Sequence, residues 1–125
     1  MAGARTFEDL IAWRLAAELR RKVRPLCRRL FESKDFKLHE QVREAARSGP
    51  RNIAEGFARY KHRDFARFVR IGKASEVELL NHLQEAFDSN HLSVEELDSL
   101  DHAARKAIRA ANGLIKYLDA TPDKP

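Results

Sequence analysis

Arg47-Ser48-Gly49-Pro50-Arg51-Asn52-Ile53-Ala54-Glu55-Gly56-Phe57-Ala58-Arg59 holds two glycines and a proline inside a segment that otherwise keeps a helical period. Ser48, Asn52, Glu55 and Arg59 recur at spacings of four, three and four, so on a helix they share one face. Val42, Ala45, Ala46, Ile53 and Phe57 form an apolar face that resumes after Gly49-Pro50. The pattern predicts one helix bent at the proline rather than two helices with a break. A polar row on such a helix points to a buried network or a binding surface.

Three more helices follow from the same reading. Upstream, Ala12, Ala16, Leu19, Val23, Leu26 and Leu30 make a helical stripe behind Thr6 and Asp9, a variant capping box, with a kink expected at Pro25. Leu10, Ile11, Trp13 and Leu15 add a second apolar surface to that helix, more than one bundle core can cover. Downstream, Phe65, Phe68, Val69, Gly72, Leu79, Leu83, Ala86 and Phe87 carry a helix that ends at Ser89-Asn90. Gly72, Ala74 and Ser75 would let a neighbour approach it closely. Ser93 with Glu96 is a capping box for the last helix, whose stripe runs from Leu97 to Leu118 before Thr121-Pro122 stops it. The expected helices are about 7–31, 36–60, 63–89 and 94–119. Short connections predict an all-α, antiparallel up-down-up-down four-helix bundle, a single domain over residues 1–125.

Composition agrees with a helical protein: 43% hydrophobic and 34% charged residues, with few turn formers. The lone Cys27 excludes an intrachain disulfide and a cysteine-based zinc site, and fits a reducing, cytoplasmic setting. Arg5, Glu8 and Asp9 interrupt any apolar signal region, and no apolar run nears the ~20 residues of a membrane span. No histidine has a Glu three residues before it, so the di-metal motif of some bundles is missing. Neither a nucleophile motif nor a glycine-rich phosphate loop is present. No enzyme, cofactor or metal is expected.

If the second and third helices form a hairpin turning near residues 61–62, Ser48 falls opposite Ser75 and Arg47 lies within a turn of Glu76 and Glu78. Ser48, Asn52, Glu55, Ser75 and Glu78 are therefore expected to form a structural polar network, with a ligand site as the alternative. Such groups must satisfy one another, because a buried orphan costs ~1–3 kcal/mol.

Charge is unevenly placed. Residues 1–73 carry 19 Lys/Arg against 9 Asp/Glu, a net of +10, and residues 74–125 a net of −5. One basic cluster comprises Arg59, Lys61, Arg63, Arg67, Arg70 and Lys73; a second includes Arg21, Arg24 and Arg28. Arginine forks suit phosphate geometry. With no recognition helix or zinc finger, backbone or shape recognition is expected over base readout.

Three motifs add a resemblance. Ser48-Gly49-Pro50-Arg51-Asn52-Ile53-Ala54-Glu55-Gly56, Phe65-x-x-Phe68 leading to Ala74-Ser75-x-x-Glu78-Leu79, and Phe7-Glu8-Asp9-Leu10-x-x-Trp13 are similar to the family of proteins encoded in 23S rRNA intervening sequences, also called S23 ribosomal proteins. More distantly, the chain resembles accessory proteins of diversity-generating retroelements. Gly49 stands where the family usually has an aliphatic residue, and Ala74 where it usually has glycine. The resemblance implies a ring-forming homo-oligomer, typically a pentamer, without enzymatic activity. The expected function is binding of nucleic acid, structured RNA first, through the basic faces. The alternative is a protein-interaction scaffold or accessory subunit with a protein partner and no nucleic-acid binding of its own.

Overall fold

Asp9 turns back on the chain at its start: its carboxylate accepts the backbone N–H groups of Arg5 at 2.8 Å and Thr6 at 3.1 Å. The computed structural model describes residues 3–121 and 123, and among them all regular structure is helical. Residues Phe7–Asp9 form a single 3-10 turn, so the first α-helix starts at Ile11 rather than at residue 7. It runs as α1 (Ile11–Lys22) and α2 (Arg24–Glu32), separated at buried Val23. Pro25 stands in the first turn of α2, where its missing N–H leaves no helical acceptor unpaired.

α3 (Phe36–Phe57) is capped by Asp35, which accepts from the Leu38 N–H, and passes unbroken through Pro50. α4 (His62–Asp88) and α5 (Val94–Ala120) complete the bundle. The left-handed residues Lys34 and Asn90 close α2 and α4, and only Asn90 is signalled by residue type. At the start of α5 the Glu96 N–H donates to Ser93 Oγ at 3.1 Å and the Ser93 N–H to Glu96 Oε1 at 3.0 Å, the reciprocal cap. Pro122, expected to stop this helix, lies outside the described residues.

α3 and α4 form a hairpin. Gly56 meets Phe65, Gly49 meets Gly72 and Ser48 meets Ser75, so positions fall along one helix as they rise along the other and the pair is antiparallel. Apolar packing divides into two clusters. One gathers Leu26, Leu30, Leu38, Val42, Leu83 and Leu100; the other gathers Leu10, Ala16, Ile53, Phe65, Val69 and Leu114. Between them α3 and α4 meet through small and polar side chains: Ser48, Gly49, Gly72, Ser75 and Glu76.

The second apolar surface expected on the first helix is mostly covered within the chain. Leu10 is buried and the Phe7 ring packs edge-on against Trp13 at 5.0 Å, leaving Ile11 58% exposed. Arg29 ties α2 to the α4–α5 connection, donating to the His91 carbonyl at 2.9 Å and to both carboxylate oxygens of Glu96. That fork and the Ser93 N–H hold the Glu96 carboxyl down to about 2. No helix among the described residues is long and apolar enough to cross a membrane.

Candidate nucleic-acid interface

The polar row of α3 splits in two. Its inner half is a relay: Asn52 Nδ2 donates to Ser48 Oγ at 2.9 Å, the Ser48 and Ser75 hydroxyls lie 2.6 Å apart, and Ser75 Oγ donates to the Ile71 carbonyl at 3.2 Å. Because Ser75 spends its proton on Ile71, Ser48 is the donor between the two hydroxyls. Asn52 also reaches the Ser48 carbonyl at 2.9 Å. The outer half faces water. Glu55 pairs with Arg59 at 2.7 Å on the surface, and Glu78 is exposed with His82 Nε2 3.5 Å away, so neither carboxylate joins the relay. Both are long enough to extend into solvent, where hydration costs nothing.

The buried carboxyl is Glu76 instead. It is 2% exposed, neither oxygen has a hydrogen-bond partner, and burial pushes its pKa up to about 8. Two residues apart on a helix is about 200° of rotation, so Glu76 and Glu78 face opposite ways. Without knowing which way α4 turns, sequence could not choose between them.

The basic cluster at the α3–α4 turn forms a surface. Lys61, Arg63, Arg67 and Arg70 line one open groove with Asp64, Ile71 and Ala74. Arg70 is engaged by Asp119 near the end of α5, whereas Lys61, Arg63, Arg67 and Lys73 have no ion-pair partner among the described residues. The guanidinium carbons of Arg59 and Arg67 both stand 4.6 Å from the centroid of the Phe68 ring. That contact fixes two cations at the edge of the groove. Phe68 looks like core in the sequence, three residues after Phe65; Phe65 is buried but Phe68 is only half-buried. Beside them Tyr60 is 91% exposed.

Arg21, Arg24 and Arg28 are exposed on α1 and α2, at the other end of the bundle. There Arg29 meets the start of α5 through Glu96, whereas His62 and Arg70 meet its end through Thr121 and Asp119. The two basic clusters are therefore separate.

A sequence profile described as 23S rRNA-intervening sequence protein matches residues 8–113. The chain belongs to that family. The chain is also similar in fold to a crystal structure from Bacteroides thetaiotaomicron, described as a protein with unknown function from the S23 ribosomal protein family. The TM-score is 0.80 at 19% identity, covering 85% of this chain and 99% of the other. None of the curated proteins matches it. Its departure from the family pattern at Gly49 has a structural counterpart. A Cβ placed there would stand 3.1 Å from Glu76 Oε2 and 3.3 Å from Glu76 Cγ. Here the space beside Gly49 is occupied by the buried Glu76 carboxyl.

Proposed function

We propose that this protein is a non-enzymatic, ring-forming homo-oligomer, a pentamer, that binds structured RNA through the basic groove at the α3–α4 turn. The observation that carries this reading is the set of unpaired cations, Lys61, Arg63 and Arg67, on one open surface beside the projecting Tyr60 ring. Fixed guanidinium groups suit phosphate oxygens, and an exposed aromatic ring offers a stacking surface for an unpaired base. Arg21, Arg24 and Arg28 supply a second phosphate contact at the far end. Repetition around a ring would multiply weak single contacts through effective concentration. Support for self-association comes from exposed Ile11 and an apolar cleft of about 590 Å³ between Leu10, Ile11, Leu114 and Tyr117. The lone, half-buried Cys27 fits work in the reducing cytoplasm.

The test is binding of nucleic-acid-free protein to labelled structured rRNA fragments, scrambled RNA and duplex DNA at ~50 and ~200 mM salt. Preference for structured RNA, with affinity falling steeply as salt rises, is expected. Arg63→Glu with Arg67→Glu should weaken that binding at least about tenfold while sedimentation shows an unchanged oligomer. Arg70 is left out because of its contact with Asp119. Unchanged affinity in the double variant would remove this groove from the interface. Equally weak binding to all three nucleic acids would favour the scaffold reading and a protein partner.

A further inference from the structure

A second cationic site lies between α1–α2 and α3. Arg20 and Arg24 converge from one side and Arg43 and Arg47 from the other on a cleft of about 400 Å³, with His39 and Cys27 at its wall. Among the described residues no carboxylate lines it. Among the described residues Arg20, Arg24 and Arg47 have no ion-pair partner, and the nearest carboxylate to Arg43 is Glu40 at 3.6 Å. Four like charges drawn together repel one another, a cost that an anion bound between them would reverse. Burial raises the Cys27 thiol, so the wall offers no thiolate as an internal counter-ion. Val23 and Ala46 provide an apolar floor.

We propose that this cleft binds a phosphate-bearing anion of nucleotide size. Its volume lies within the range of small-molecule sites, about 300–1,000 Å³. Guanidinium forks from two directions match the tetrahedral oxygens of a phosphate. Two sources present this chemistry, a free nucleotide and the phosphorylated end of a polynucleotide. The site is distinct from the groove at the α3–α4 turn and shares only Arg24 with the residues assigned to RNA above.

Calorimetry on the nucleic-acid-free full chain tests it, with pyrophosphate, AMP, a 5′-phosphorylated oligonucleotide and its 5′-hydroxyl twin as probes. Saturable binding of at least one phosphorylated probe is expected, one per subunit. Arg43→Glu with Arg47→Glu, both exposed positions, should weaken it at least about tenfold. Arg20→Lys keeps the charge but removes the fork and should weaken it as well. The variant Arg63→Glu with Arg67→Glu should bind pyrophosphate and AMP like the wild type, which separates this site from the RNA groove. A gain for the 5′-phosphorylated oligonucleotide over its twin would identify a chain end as the source; equal binding of AMP without that gain would identify a free nucleotide. No saturable binding of any phosphorylated probe, or binding unchanged in the Arg43/Arg47 variant, would overturn the proposal.

Discussion

Between pH 5 and pH 8.5 the protein is expected to lose about 3–5 kcal/mol of stability, and Glu76→Gln is expected to abolish most of that loss. The unfolded chain releases the Glu76 proton near 4.5, whereas the folded protein keeps it to about 8. Across that interval folding must take up a proton, so the folded state becomes harder to reach as pH rises. Above about 8 both states are ionised and the fall ends. The cause is burial: Oε2 lies against Gly49, and neither carboxylate oxygen has a hydrogen-bond donor among the described residues. Glu96 works in the opposite sense, but its contribution is complete above 4.5 and lost only as pH falls toward about 2. It therefore adds no slope in the same window. Urea midpoints at fixed protein concentration, taken at pH 5 and 8.5 for both proteins, decide the matter. A wild-type midpoint that does not move, or a glutamine variant that falls with it, would show that Glu76 is not held neutral.

The second large effect is at the α3–α4 crossing. Gly72→Ala is expected to cost about 2–3 kcal/mol, although alanine favours a helix over glycine by about 1 kcal/mol. A Cβ at Gly72 would stand 2.9 Å from the Gly49 carbonyl oxygen and 3.6 Å from the Gly49 Cα. Those are backbone atoms of a buried helix, so no rotamer change relieves the clash. Gly113 supplies the control, because a Cβ there meets nothing within 4 Å. Gly113→Ala should stabilise the chain by about 0.5–1 kcal/mol. Thermal unfolding of the two variants should therefore move in opposite directions. A stabilised Gly72→Ala would mean that the helices do not pack this closely.

Residues that act through the backbone were the legible part of the sequence. Ser93 with Glu96 announced the start of the last helix and Asn90 a left-handed end, both visible in the structure; Pro25 announced a kink in the first helix, which the structure makes a break at Val23. The small residue Gly72 marked a place of close approach for the same reason. Side chains long enough to choose their surroundings were less legible. Glu55 occupies the same helical row as Ser48 and Asn52, yet it swings outward to Arg59, because α4 offers Phe65 and Phe68 beside Gly56 instead of a polar partner. Phe68 carries the period of a core residue and stands at the rim under two arginines. The cleft of Arg20, Arg24, Arg43 and Arg47 draws on positions 20–24 and 43–47, and only the packing of α1 and α2 against α3 brings them together.

The placement of the two basic clusters at opposite ends of α5 sets a length scale for whatever lies along the molecule. A helix of 27 residues is about 40 Å long. A B-form DNA duplex rising about 3.4 Å per base pair needs roughly a dozen pairs to span it. Fragments below that length can occupy one end or the other, so one subunit would hold two of them independently. Longer ones would engage both ends at once and lie parallel to the bundle axis. Titration with a ladder of duplex lengths should then show stoichiometry dropping from two to one, and affinity rising, at about that size.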